Sequence, residues 1–257
     1  MFVASPDRRD VDTPPPGPSP RRSLDRERDL ASLALLAERT RPVSSSQTRL
    51  LPVLPPLADL LPDGALRRGS TIVVAGPAGG TDGDITVALA LLAAASGAGS
   101  WSALVGVDDL GAVAAHDLGI DLDRLAVVPH PGAAWAEVVA ALVEGVDLVV
   151  LRPPFPPRPA MARRLVARVR ERRSVLVVVP GRSGWPDHPD IQLRIDDLRW
   201  EGVGTGEGYL SGRRMTLTAT GRRSAARPRH RRLWMPSPTG AVADAGGEAP
   251  AGAVPQP

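Results

Sequence analysis

Five short runs dominated by Val, Leu, Ile and Ala constrain this chain most: residues 71–75, 102–107, 125–128, 146–151 and 174–179. Runs of four to six residues suit strands rather than helices, and their near-continuous apolar character predicts burial on both faces. Helical segments separate them, at about 85–96, 111–118, 133–144 and 159–172. Strand and helix in alternation predict an α/β domain with a mostly parallel sheet between helix layers. The uncharged stretch 85–107 is long enough to span a bilayer, but Gly97-Ala98-Gly99-Ser100 interrupts it. Helix, turn and buried strand is therefore the expected reading, and no membrane partner is expected.

The first strand runs into Gly76-Pro77-Ala78-Gly79-Gly80-Thr81-Asp82-Gly83-Asp84, and a helix follows. Strand, Gly-rich turn and helix N-terminus is the setting of a phosphate loop, because free backbone N–H groups there face an anion. A working G-x-x-x-x-G-K-[ST] loop also needs Lys for the outer phosphates and a hydroxyl for Mg²⁺. Counted from Gly76, Thr81 takes the place of the second Gly, Asp82 of the Lys and Gly83 of the Ser/Thr. The chain has no lysine, so no shift of register restores the motif. Asp82 and Asp84 suit helix capping; as hard oxygen ligands they could alternatively hold Mg²⁺. A carboxylate about 4 Å from a phosphate charge costs roughly 4 kcal/mol at an effective dielectric near 20. The pattern predicts a degenerate nucleotide site with no cofactor, no metal and no catalytic residue.

Nothing else replaces that chemistry. His116, His130, His188 and His230 are scattered without metal-ligand spacing, and the absence of Cys removes disulfides and thiolate sites. The arginines of 159–172 read as the solvated face of a helix.

After Pro180 the pattern changes. Leu193 and Ile195 alternate in one phase and Leu198 and Trp200 in another, which predicts a bulge near Asp196-Asp197. A Gly-rich loop leads to Met215, Leu217 and Ala219 alternating with threonines, so an antiparallel hairpin is expected on the parallel core. Residues 222–232 hold six Arg (Arg222, Arg223, Arg227, Arg229, Arg231 and Arg232) and no acid, followed by Leu233, Trp234 and Met235. This tail can contact nucleic-acid phosphates, or meet an acidic partner with Leu233-Trp234-Met235 as anchor, or fold its tryptophan back on the domain.

The expected organisation is a disordered Pro-rich segment at 1–22, a helix at 23–41, a core at 42–221, the Arg-rich partner- or DNA-binding tail at 222–235, and a disordered end at 236–257. The first helix presents Leu30, Leu33, Ala34 and Ala37 on one face. Its face packs on its own domain or on a partner, since the proline-broken connection after Pro42 lets it swing out.

Residues 61–77 resemble the entry of the RecA core into its phosphate loop, including the Gly76-Pro77 pair. Leu118-Gly119-Ile120-Asp121-Leu122-Asp123-Arg124-Leu125 resembles the run after RecA's second strand, and 146–151 resembles its Walker B strand. The late hairpin, with Ser211 and Arg213, resembles the region after its DNA-binding loops. The likeness covers about residues 45–222. Arg152 stands where the Walker B Asp ends its strand, Pro180-Gly181 replaces an Asn-Gln pair, and Asp108 or Asp109 is the nearest match to the water-activating glutamate. A RecA-like core with these departures resembles the ImuA family, in its divergent ImuA-prime form, whose basic tail residues 221–236 also resemble.

The resemblance implies a non-catalytic accessory protein of translesion DNA synthesis in the SOS response to DNA damage. It implies an ImuB-like partner (an inactive Y-family polymerase relative), and through it an error-prone DNA polymerase. It also implies a cytoplasmic location, on the nucleoid when active. The competing readings are a nucleotide-dependent RecA-type DNA enzyme and a single-stranded DNA-binding module. In a RecA-type core the phosphate loop and the Walker B strand end at one sheet edge, so Asp82 and Arg152 are expected to form an ion pair across the vacant phosphate site.

Overall fold

The computed structural model describes residues 49–76, 83–181, 184–203, 208–222 and 225–246. The segments 1–22 and 23–41 of the expected organisation lie outside the described residues. Strands β1 (Leu50–Leu51) and β2 (Leu66–Arg67) form a small antiparallel pair around helix α1 (Pro55–Ala58). The main succession then runs β3 (Thr71–Ala75), α2 (Asp84–Gly97), β4 (Ser102–Val105), α3 (Ala112–Asp117), β5 (Leu125–Val128) and α4 (Trp135–Leu142). It continues with β6 (Leu148–Leu151), α5 (Pro159–Arg172), β7 (Val175–Val178), β8 (Ile191–Val203), β9 (Gly208–Gly221), β10 (Arg229–Trp234) and β11 (Ala243–Asp244).

Among the described residues, nine strands form one sheet in the order β11-β10-β9-β8-β3-β7-β6-β4-β5. The six from β8 to β5 are parallel, and β9, β10 and β11 add antiparallel to β8. The protein is thus mixed α/β with a large, mostly parallel sheet and an antiparallel extension.

Alternation along each parallel strand assigns its side chains to two cores, as the two-residue period of a strand requires. Ile72, Val74, Leu104, Leu148, Val150, Val175 and Val177 share one core with α2. Val73, Ala103, Val105, Val149, Leu151, Leu176 and Val178 share the other with α4 and α5. Helix α2 is Ala- and Leu-rich, a composition of high helix propensity, and is buried on nearly all sides. Helix α5 buries Ala162, Leu165, Val166 and Val169 at helical spacing and turns its arginines outward. Arg168 and Arg172 reach Glu144, at 3.0 Å for Arg172. The uncharged stretch resolves into α2, a turn and β4; no described helix is long and apolar enough to cross a membrane.

In the hairpin, the register slips between Ile195 and Asp197, where the apolar phase changes. Leu193, Ile195, Met215, Leu217 and Ala219 are buried together.

The region after residue 221 corrects the expected tail. Residues 229–234 form β10, pairing with β9 from Arg229↔Ala219 to Trp234↔Arg214. Leu233, Trp234 and Met235 are buried, so of the three alternatives the tryptophan folds back on the domain, and the trio presents no exposed anchor. The physical reason is register: Leu233 sits opposite Met215 on the core face, and the Trp234 ring lies 5.1 Å beneath the Arg214 guanidinium. Gly212 leaves room for this, since a Cβ there would stand 3.0 Å from Trp234 and 3.1 Å from Pro238. The expected disorder of 236–257 is corrected over 236–246, where β11 pairs with β10 and Ser237 and Ala245 are buried.

Candidate functional site: a charged cluster at the carboxyl edge of the sheet

Parallel strands place the loops that follow them at one edge, where α/β sheets ordinarily hold ligands. Here the ends of β3, β4 and β6 bring together the start of α2, the 106–109 loop and Arg152.

Gly76, which follows β3, is buried, while Thr81 and Asp82 lie outside the described residues. Gly83 caps α2 with φ +79, and a Cβ there would stand 2.9 Å from the Leu198 side chain. The hairpin therefore packs directly on the start of the helix. Asp84 is the first residue of α2 and is buried; its Oδ1 accepts the Ile85 N–H at 2.7 Å. A carboxylate is favoured at this end by the helix dipole.

Arg152 follows β6, its backbone N–H donating to the Val105 carbonyl at 2.8 Å. Its side chain is 24 % exposed. One terminal nitrogen lies 2.9 Å from the exposed Asp109 carboxylate, and the other 4.0 Å from Asp84 Oδ1. Its Nε is buried without a hydrogen-bond partner among the described residues. Gly106 holds the two loops against each other with φ +76, since a Cβ there would fall 2.0 Å from the Arg152 carbonyl oxygen. Beside the cluster an open cleft of about 460 Å³ is lined by Gly106, Asp108, His130, Arg152 and Pro153.

The pair expected between Asp82 and Arg152 falls on a residue outside the described set; the partners the structure gives Arg152 are Asp84 and Asp109. Asp109 was legible only as one of two nearest matches to a water-activating glutamate, and its contact with Arg152 depends on β4 and β6 being neighbours. Gly106 gave no signal in sequence, because its need for a positive φ comes from contact with a strand 40-odd residues later. An isolated arginine here would attract phosphate. Set between two carboxylates, it leaves the trio one negative charge in excess, and at about 4 Å each unit pair is worth roughly 4 kcal/mol at an effective dielectric near 20.

Among the described residues, the arginines of 222–232 do not gather into one surface. Arg222 follows β9 and is exposed, Arg223 lies outside the described residues, and Arg227 is exposed in the connection to β10. On β10 the alternation sends Arg229 and Arg231 to one face and Arg232 to the other. Arg231 pairs with Asp59, whose hydrogen bond and charge raise its pKa above the ordinary value.

A family profile described as the MT3502 N-terminal domain matches residues 59–187, about half of the chain. A curated relative, the "Uncharacterized protein Rv3395c" of Mycobacterium tuberculosis, is 36% identical over 185 residues, which cover 62% of this chain and 84% of that protein.

Proposed function

This chain belongs to the MT3502 N-terminal domain family, and from that premise we propose that it is an ATP-independent, non-catalytic adaptor built on a RecA-like core. The observation that carries the reading is the occupied phosphate edge. Asp84 stands buried at the helix N-terminus where an anion would be received, and Arg152 spans from it to Asp109. These side chains stand in for the charges that a nucleotide and its metal would otherwise bring.

The order of the parallel strands supports the RecA-like part of the reading: the phosphate-loop strand β3 lies between β7 and β8, and β4 and β5 form the far edge. The adaptor acts in damage-induced translesion synthesis, in the cytoplasm and on the nucleoid when active. It joins an ImuB-like inactive Y-family polymerase relative to an error-prone polymerase. This part rests on the family resemblance of residues 45–222.

Two measurements test it. Millimolar ATP with Mg²⁺ is expected neither to raise the melting temperature nor to be hydrolysed. A ligand bound only by the folded state at 100 times its Kd adds about 2.7 kcal/mol, so a clear upward shift would restore the nucleotide-dependent enzyme. Co-purification with an ImuB-like protein is expected, and its failure removes the adaptor.

A further inference from the structure

From Ile195 onward β8 has no neighbour in the sheet among the described residues except β9, because β3 pairs only with the strand's first four residues. The ladder between β9 and β10 ends at Arg214, and Arg213 still exchanges backbone hydrogen bonds with Met235 and Pro236, so residues 201–203 and 208–212 continue as a two-stranded ribbon rooted at Trp200 and Arg213. Five residues of strand rise about 17 Å, and a ribbon of two strands is marginally stable alone in water.

Its root is fastened. Arg213 is buried, donates from Nε to the Met235 carbonyl at 2.8 Å, and holds its guanidinium 5.1 Å from the Trp200 ring. Gly202, at φ +98, brings the two strands backbone against backbone, because a Cβ there would stand 2.3 Å from the Tyr209 carbonyl oxygen. Yet Trp200, Tyr209 and Leu210 are 48, 68 and 54% exposed. The chain has only eight aromatic residues, one of them Tyr. Two of the eight stand in water on this one ribbon, which marks it as an interaction surface.

The charges of the ribbon decide what it fits. Arg199 pairs with Asp197 at 3.3 Å, Arg214 with Glu201, and Arg213 is held by Met235 and Trp200. A nucleic-acid strand draws its affinity from cations available to its phosphates, whereas all three arginines here are engaged within the protein. Exposed Trp, Tyr and Leu among closed charges match the centre of a protein interface. We propose that the ribbon is a docking arm, which seats Trp200, Tyr209 and Leu210 in an uncharged, apolar cleft of a partner protein. This deepens the adaptor reading and rests on it for the choice of partner.

The test uses the full chain and its ImuB-like partner, with Kd measured for the parent, for Trp200→Ala and for the Tyr209→Ser/Leu210→Ser double variant. Trp200→Ala also removes the ring beside the buried Arg213, so the double variant, whose side chains are exposed, separates docking from folding. The double variant is expected to melt with the parent and to bind at least about tenfold more weakly. Equal binding by parent and double variant overturns the arm and leaves the adaptor standing. Absence of a complex with the parent overturns both. Binding of a labelled oligo-dT that falls steeply with salt and is lost in the double variant, with partner binding intact, assigns the ribbon to nucleic acid instead.

Discussion

Two buried carboxylates stand at opposite edges of the same sheet, and their surroundings differ. Asp147, just before β6 at the amino edge, meets Arg68 at 2.7 Å and accepts the Trp101 N–H at 3.1 Å. Asp84, at the carboxyl edge, lies 4.0 Å from an arginine that is also claimed by the exposed Asp109. The first pair ties three chain segments together at short range. The second spans loops at the edge where parallel sheets bind ligands. Similar chemistry thus serves as a fastening at one edge and, on the function proposed above, as a replacement for a ligand at the other.

The largest expected effect tests the fastening. Arg68→Ala leaves Asp147 buried without its cation, a change that typically costs about 3–5 kcal/mol. Urea unfolding measures it, and a cost under about 1 kcal/mol would place the pair with surface salt bridges and dissolve the contrast. Next comes Gly106→Ala, which sets a Cβ against the Arg152 carbonyl in a left-handed conformation. A loss on the order of 1–3 kcal/mol is expected, with a lowered melting temperature; an unchanged one would show that the two loops are not held together.

The cluster itself calls for double-mutant cycles. Asp84→Ala and Arg152→Ala are expected to couple by about 1–2 kcal/mol, within the range seen for contacting residues. Arg152→Ala with Asp109→Ala is expected to couple by less than about 1 kcal/mol, because Asp109 is 68% exposed. Strict additivity in the first cycle would leave Arg152 and Asp84 as unrelated charges. Equal coupling in both would mean that burial does not distinguish the two carboxylates.

The strands were readable because apolar runs bounded by turn residues are local facts. β3, β5 and α5 occupy the spans that the pattern predicts, and the phase change near Asp196 marks the register slip. Other strands are shorter than their apolar runs: Val107 and Val146 are buried but outside the ladders, and Val179, past the end of β7, keeps one bond, from its N–H to the Leu151 carbonyl. Apolar character reports burial, and hydrogen-bond pairing ends sooner. The end of the chain departs from the expected tail for a related reason. Arg229-His230-Arg231-Arg232 reads as a solvated tail because its charges are local, whereas its strand character comes from β9 and the partner of Arg231 is Asp59. A truncation at residue 222 would therefore remove β10 and the buried Leu233 and Met235 from the core.

By itself the sequence determined an alternating α/β chain, an antiparallel hairpin with its bulge, and a Gly-rich connection after the first of its parallel strands that holds no lysine. These follow from side-chain period and residue identity within a few neighbours. Tertiary structure alone decided that Arg152 meets Asp84 and Asp109, that Arg213 secures Trp200 at the root of a free ribbon, and that the basic tail is a strand. Each joins residues far apart along the chain, whose contacts exist only once the strand order sets which loops share an edge.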